Sequence, residues 1–340
     1  MAKKALVISG GGSKGAFAVG VLKYIHQNVM SLDQFDLYCG TSTGSLIVPF
    51  AAMGDIGELE ILYTTTVQKD VLIEGGILNL VTEVSLHDAK PLKKLIENHL
   101  TTPRFNQIVA QNKAIFLSTV CLQTEKLVFW ATKPSPSTID YEVQPILTQN
   151  DLQRAMLASS CQPVFMQPIE VIAGASPLRQ YVDGGVREIT PLQIAIDNGA
   201  TDIIAISLSP KVMNPIPGKV TKGMGMLERT IDMFSEDIGA NDYRIPNLHL
   251  DANRYLAAVK ANLKAGGLSQ ATIDQAFGQA NNPFAGKPIM NLYEIRPDKK
   301  LTEGGPGGLT FDPTAMKGML DKGFKQAKAF FETLPTPPFV

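Results

Sequence analysis

The N-terminal part of the chain alternates between short apolar runs and stripes of apolar residues at helical spacing. Ala5–Ser9 is a short run ended by glycines, which is typical of a buried parallel strand. Beyond Gly15, apolar residues recur at intervals of three and four as far as Ile25, which predicts a helix. A second strand is predicted over Phe35–Cys39 and a second helix over Ser45–Met53. This order favours a parallel sheet with helices on both faces.

Similar signals continue along the rest of the chain with less regular spacing. Two strands joined by a tight turn are predicted over Lys113–Thr124 and Lys126–Thr132. Further strands are predicted at Gln180–Val182, Asp202–Leu208 and Ile289–Ile295, and further helices at Pro91–Leu100, Asp151–Ser159, Pro191–Asn198 and Asp312–Phe331. We therefore expect an α/β protein with a three-layer α/β/α architecture and a mostly parallel central sheet.

The domain organisation follows from where the helical patterns concentrate. Helical spacing dominates from about residue 226 to about Gly267, and a strand and a helix follow over 289–331. Because that last strand can join the same sheet, the pattern favours a single domain over residues 1–340. In this interpretation the core motifs lie within residues 4–210, and residues 226–285 form a helical insertion.

Composition narrows the class of protein. Apolar residues make up 44% of the 340 residues and charged residues only 19%, which excludes a disordered chain. The net charge is −1 and no long block of one sign occurs, so a polyelectrolyte that binds nucleic acid is not indicated. The low charge content fits a protein that meets apolar material.

Cysteines and terminal segments bear on the compartment. Cys39, Cys121 and Cys161 are odd in number and far apart, so they form neither a disulfide framework nor a metal-ligand cluster. The chain start lacks the apolar core of a secretory signal, and no apolar run approaches the roughly 18 residues of a membrane span. The sequence therefore predicts a soluble, cytoplasmic protein without a transmembrane segment.

The first motif with chemical meaning is the glycine-rich loop Gly10–Gly15 between a strand and a helix. Its unshielded N–H groups and the following helix N-terminus suit a phosphate or a developing oxyanion. Gly10, Gly12 and Gly15 also satisfy the dinucleotide pattern G-x-G-x-x-G, but that pattern requires an acidic residue at the end of the second strand. Asp36 lies inside that strand instead. A Walker A loop is excluded because Lys14 is followed by Gly15, and a tight turn without a ligand remains an alternative.

The second motif is Gly40-Thr-Ser-Thr-Gly44, again between a strand and a helix. It has the form G-x-S-x-G, with Gly40, Ser42 and Gly44 at the defining positions. Small residues at both ends permit the sharp turn that exposes a nucleophilic hydroxyl above a sheet. The alternative is a turn serine that caps the helix.

The third motif, Asp183-Gly184-Gly185, follows the short strand Gln180–Val182. A serine nucleophile needs a base, and none of the four histidines lies at a strand end beside glycines; they are His26, His87, His99 and His249. A partly desolvated carboxylate in direct contact with the serine can serve instead. Asp183 is the best candidate, with a simple Asp-Gly turn as the alternative.

The order of these motifs resembles the patatin-like phospholipase family. Ala158–Pro168 and Asp183–Pro191 are similar to two further segments of that family. The resemblance covers residues 4–210 well and 289–331 weakly, and we recognise nothing in 226–285.

The resemblance implies a role for each motif. Ser42 matches the nucleophile of a Ser–Asp dyad, Asp183 its proton acceptor, and Gly10, Gly11 and Gly12 the oxyanion loop. The family hydrolyses acyl esters of phospholipids and other lipids without a metal or cofactor. The implied partner is a lipid substrate at a membrane or micelle surface, which leaves peripheral attachment to membranes open. Lys14 matches a basic position that contacts substrate phosphate or pairs locally, and no oligomeric state is implied.

Three other interpretations remain open at this stage. A classical α/β-hydrolase would use the triad Ser42, Asp183 and His249 in the correct order, but that fold places several strands before its serine. A nucleotide-binding protein would use Gly10–Gly15. A catalytically silent family member would bind lipid only.

Overall fold

The computed structural model describes residues 3–76, 83–170, 179–212, 215, 218–278 and 290–334. The strands are β1 (Lys4–Ile8), β2 (Leu37–Thr41), β3 (Ala114–Cys121), β4 (Leu127–Ala131), β5 (Tyr141–Pro145), β6 (Ile169–Glu170), β7 (Gln180–Asp183), β8 (Asp202–Ile206) and β9 (Asn291–Ile295). The helices are α1 (Gly15–Asn28), α2 (Thr43–Ala52), α3 (Ile56–Thr65), α4 (Gln68–Val71), α5 (Lys90–His99), α6 (Thr102–Ala110), α7 (Gln149–Ser160), α8 (Leu192–Asp197), α9 (Gly223–Ala265), α10 (Gln270–Ala276) and α11 (Pro313–Glu332).

The described strands form one sheet with β1 and β2 near its centre. The order is β5-β4-β3-β2-β1-β8-β9, and β7 pairs with both β3 and β6. Neighbouring strands from β3 through β2, β1 and β8 to β9 are parallel, whereas β4 and β7 run antiparallel to β3. This arrangement confirms the predicted mostly parallel sheet and the predicted turn between β3 and β4.

Alternate residues of β1 enter two separate apolar cores, one on each face of the sheet. Leu6 and Ile8 pack into the larger core, which includes α1, α2, α7 and α11. Ala5 and Val7 pack into the smaller core with α8 and part of α9. A strand that buries both faces reads as a continuous apolar run, which is the pattern seen in the sequence. The three-layer α/β/α architecture is thereby confirmed.

Some predicted boundaries were wrong by a few residues. β2 begins at Leu37 rather than Phe35. Residues 32–34 form a turn of 3-10 helix, and Phe35 is the residue that ends this turn. The next helix begins at Thr43 rather than Ser45. The pattern also missed α3 and β5, since α3 buries only Leu59 and Tyr63 and β5 is a half-exposed edge strand.

The C-terminal third supports most of the predicted elements. Helical structure in the described part of 226–285 consists of the long α9 and the short α10. β9 joins β8 in the sheet, and α11 packs against α1 in the larger core. Residues 279–285 and 289, which belong to predicted segments, lie outside the described residues. The division of the chain into domains stays a prediction.

Within the part of the chain that the structure describes, no helix has both the length and the apolar character needed to cross a membrane. All three cysteines are buried free thiols.

Candidate active site

Ser42 occupies a sharp turn between β2 and α2. Its backbone has φ 55° and ψ −123°, a conformation that non-glycine residues rarely adopt. The N–H of Ser42 donates to Oγ of Ser159 at 2.9 Å, and the two hydroxyls of Ser159 and Ser45 lie 2.7 Å apart. The hydroxyl of Ser45 donates in turn to the carbonyl of Gly40 at 2.8 Å. Helix α7 therefore holds the strained turn in place through Ser159.

The tight turn requires glycine at its far end. A Cβ atom on Gly44 would collide with the backbone carbonyl of Ile8, at the end of the neighbouring strand β1. The G-x-S-x-G spacing therefore reflects the close approach of α2 to the central strand.

Strand pairing brings Asp183 next to this turn. Along β3, Ser118 pairs with Thr41 of β2 and the next residue, Thr119, pairs with Asp183 of β7. Strands β2 and β7 thus pair with successive stretches of β3. Asp183 therefore lies beside Ser42, the residue that follows Thr41. The N–H of Asp183 donates to the carbonyl of Cys161 at 2.9 Å, which fixes the end of β7 against the end of α7.

The carboxylate of Asp183 has two polar neighbours. The N–H of Gly185 donates a hydrogen bond to it at 2.8 Å, and the hydroxyl of Ser42 is close enough to favour its ionised form. Ser42 is 5% exposed and Asp183 is 4% exposed, so both groups are largely desolvated.

The environment of Asp183 tunes it as a base. Burial raises the pKa of Asp183 to about 6, while the hydrogen bonds from Ser42 and Gly185 act in the opposite direction. A carboxyl with this pKa is ionised at pH 7 and has more affinity for a proton than an exposed aspartate. The pair therefore has the geometry and the basicity needed to activate a hydroxyl nucleophile.

The three loop glycines have different surroundings. The N–H of Gly10 donates to the carbonyl of Ile189 at 3.0 Å, so this group is occupied within the protein. Among the described residues, none accepts a hydrogen bond from the N–H of Gly11 or Gly12. Gly12 lines the same cavity as Ser42 and has φ 58°. A Cβ atom on Gly12 would collide with the carbonyl of Gly308, so the close packing of this loop requires glycine there.

Lys14 is turned away from water and toward acidic side chains. It is 8% exposed, and its aliphatic stem lies against Gly304. Burial and the nearby Lys300 lower the pKa of Lys14, while Asp232 and Glu236 of α9 act in the opposite direction. Of its two predicted roles, these surroundings favour local pairing over contact with a substrate phosphate.

An apolar cavity opens from the serine. Gly12, Ser42 and Thr43 lie in its wall together with side chains from four separate parts of the chain. The apolar members include Leu46, Phe50, Leu95, Met156, Leu309 and Phe311. The lining of this cavity is mostly apolar, which suits an apolar ligand.

The geometry weighs against a triad that includes His249. In a triad the histidine stands between the serine and the aspartate. Here the groups that shift the pKa of Asp183, besides burial, are Ser42 itself and Gly185, and no histidine is among them. His249 lies on α9.

Asp36 does not complete a dinucleotide site. Its carboxylate accepts the N–H of Lys4 at 2.9 Å, at the start of β1. The glycine loop follows the C-terminal end of β1. The acidic side chain and the loop therefore lie at opposite ends of the parallel strands.

Several residues at the site carried no signal of their own in the sequence analysis. Ser159 and the carbonyl of Cys161 support the serine and the aspartate, and both lie in the segment 158–168 that resembled a family segment. That resemblance was the only indication in the sequence that these two residues lie near the site. Ile189 likewise lies in the segment 183–191 that resembled a family segment. Leu309 and Phe311 reach the site through long-range contacts, and no local motif indicated them.

The chain is similar to several known proteins. Residues 6–196 match the family model described as Patatin-like phospholipase. Over 207 residues, the chain is 27% identical to a cGAMP-activated phospholipase of Escherichia coli strain TW11681, a match that covers 57% of this chain and 54% of that protein. Over 69 residues it is 38% identical to a cUMP-AMP-activated phospholipase of Escherichia coli, covering 19% and 22% respectively.

The chain thus spans about half the length of the first relative. The crystal structure of VipD from Legionella pneumophila aligns with a TM-score of 0.49 and 11% identity, over 98% of this chain and 67% of that one.

Proposed function

Because the chain belongs to the patatin-like phospholipase family, we propose that it hydrolyses carboxylic esters of phospholipids or other acyl lipids through Ser42 and Asp183. The observation that carries the proposal is the contact of the Ser42 hydroxyl with a buried carboxylate whose pKa it lowers, at the wall of an apolar cavity. Neither feature alone would indicate an enzyme. A serine at this position can simply cap the helix, and an apolar cavity can exist without a nucleophile.

The proposed reaction has two acyl-transfer steps. Asp183 accepts the proton of Ser42 while Oγ of Ser42 attacks the ester carbonyl carbon. The N–H groups of Gly11 and Gly12 donate to the resulting oxyanion, and collapse of the intermediate expels the alcohol, which takes the proton from Asp183. A water molecule then gives a proton to Asp183 and attacks the acyl-enzyme, releasing the fatty acid and restoring Ser42.

The substrate class follows from the lining of the cavity. An acyl chain of a lipid would lie along Leu46, Phe50, Leu309 and Phe311, with its ester carbonyl at Ser42. Burial of each CH₂ contributes about 0.8 kcal/mol, which favours long chains over short ones.

Hydrolysis of a lipid panel with analysis of the products tests the proposal. We expect release of free fatty acid from phospholipid or neutral-lipid vesicles. Since the two matched relatives are named for activation by cGAMP and by cUMP-AMP, each reaction is run alone and with each of these nucleotides. Absence of fatty-acid release from every lipid under all three conditions, with folded protein, would contradict the proposal.

The first testable prediction concerns pH. Because Asp183 acts in its ionised form, activity should be present above its pKa and lost as the pH falls through about 6. An unperturbed aspartate would keep activity down to about pH 4. Measurement of kcat/KM for a soluble ester from pH 4 to 9 checks this, and a profile that stays flat down to pH 4.5 would contradict it.

The second prediction concerns chain length. Phe311→Ala removes apolar surface from the cavity, so kcat/KM for long-chain esters should fall about 10-fold, while that for a butyryl ester should change less than about 2-fold. Phe234→Ala is the matched control, because Phe234 is 62% exposed on α9. An equal loss for both chain lengths would show that Phe311 does not contact the acyl chain.

A further inference from the structure

The backbone of residues 188–190 connects the two halves of the site. The carbonyl of Ile189 accepts the N–H of Gly10 at 3.0 Å. The carbonyl of Glu188 accepts the hydroxyl of Thr41, the residue before the nucleophile, at 3.2 Å. This short segment therefore contacts both the glycine loop and the turn that carries Ser42.

A side chain of α9 holds this segment. A single carboxylate oxygen of Asp242, Oδ2, accepts the N–H groups of Ile189 and Thr190, each at 2.8 Å. Hydrogen bonds to a charged acceptor are about twice as strong as neutral ones. Asp242 lies outside residues 6–196, which match the family model, so the family motifs do not include this contact.

The helix is anchored where it makes this contact. The hydroxyl of Tyr243, the next residue, lies 2.8 Å from Oγ of Ser207, and the guanidinium of Arg296 stacks 4.3 Å above its ring. Ser207 follows β8, whose neighbour β1 leads into the glycine loop. Asp242 is therefore fixed relative to the sheet, and the segment that it holds is fixed as well.

We propose that Asp242 is a positioning residue for ester hydrolysis, whose carboxylate holds residues 188–190 and thereby sets the glycine loop relative to Ser42. The inference rests on the proposed function, because it assigns the N–H groups of Gly11 and Gly12 to the oxyanion. Asp242 itself contacts no substrate in this account. It acts through the backbone of Ile189 and Gly10, and a misplacement of about 1 Å in an oxyanion loop can cost roughly 100-fold in rate.

The ionisation of Asp242 gives this role a signature in the pH profile. The groups that face Asp242 are Glu188, Arg296 and Tyr243, besides the two backbone N–H donors. Burial raises the pKa of Asp242 to about 7, whereas the two N–H groups and Arg296 act in the opposite direction. The ionised form is the better acceptor, so the hold on the segment should weaken as the pH falls through about 7, before Asp183 is protonated.

Two substitutions separate positioning from folding. Asp242→Ala removes the acceptor, so kcat should fall at least about 10-fold with KM within about 2-fold, since the cavity wall is unchanged. Asp242→Asn keeps a neutral acceptor oxygen, as the protonated carboxyl does, so its kcat at pH 8 should match the lower value that wild type reaches below the step near pH 7. Its pH profile should lose the step near 7 and keep the step near 6. Asp237→Ala, an exposed aspartate on the same helix, is the matched control and should keep wild-type kcat.

The measurement is kcat and KM for a soluble long-chain ester from pH 5 to 9, with circular dichroism of each variant. Folded Asp242→Ala with wild-type kcat would overturn the inference, as would an Asp242→Asn profile that retains the step near pH 7. If Asp242→Ala does not fold, the Asp242→Asn profile decides. Failure of the proposed function is distinguishable, because the wild-type protein would then hydrolyse no ester.

Discussion

Ester hydrolysis should fall by at least about 10⁴-fold when Ser42 is replaced by alanine. The substitution removes the only atom that would form the acyl-enzyme, and loss of a serine nucleophile typically has an effect of this size or larger. Alanine also has a Cβ atom, so the strain of φ 55° at this turn is unchanged. The N–H of residue 42 can still donate to Ser159. The variant should therefore fold with an intact site that lacks the nucleophile.

Ser160→Ala is the matched control for this prediction. Ser160 lines the same cavity, is similarly buried, and its hydroxyl donates to the carbonyl of Met156 within α7. Its replacement should leave kcat within a few-fold of wild type. Retention of more than about one per cent of activity by folded Ser42→Ala would remove Ser42 from the reaction.

Replacing Asp183 with asparagine should lower kcat by at least about 100-fold. Asparagine has the same shape and keeps an oxygen for the N–H of Gly185, but it cannot accept the proton of Ser42. The acid limb near pH 6 should disappear from the residual activity, because the group that titrates there is gone. Steady-state kinetics with a soluble ester, together with circular dichroism, measures both effects.

His249→Ala separates the dyad from the triad. If Asp183 is the direct base, loss of His249 should change activity only a few-fold. In a triad the histidine is the direct base, and its loss would be about as damaging as that of the serine. Collapse of activity in folded His249→Ala would therefore favour the α/β-hydrolase interpretation. Near-wild-type activity in folded Asp183→Asn would contradict the dyad.

The local parts of the site were accessible from the sequence because short-range physics determines them. A run such as Ala5–Ser9 is buried on both faces, and glycines follow wherever α2 or the loop at Gly12 approaches backbone too closely for a Cβ atom. Each of these requirements restricts the residue types at positions that are close together in the sequence. Most strands of the sheet, the helices that pack on its two faces near β1 and β2, and the three motifs could be predicted for that reason.

The remaining parts depend on contacts between distant segments. Ser159 supports Ser42 from 117 residues away, and Asp242 holds Ile189 from 53 residues away. Leu309 and Phe311 enter the cavity from the far end of the chain. None of these contacts imposes a local pattern, since a serine on a helix or an aspartate in a long helix is unremarkable by itself. Edge strand β5 was missed for a related reason, because its half-exposed residues show little apolar periodicity.

Labelling with an activated fluorophosphonate tests the dyad most directly. Only a hydroxyl that is activated by a base beside an oxyanion site reacts quickly with this probe. Intact-mass analysis and peptide mapping of the wild-type protein should find one adduct, on Ser42, and Asp183→Asn should react at least about 100-fold more slowly. An adduct on another residue, or no adduct on folded wild-type protein with or without cGAMP and cUMP-AMP, would contradict the assignment of Ser42 as the nucleophile.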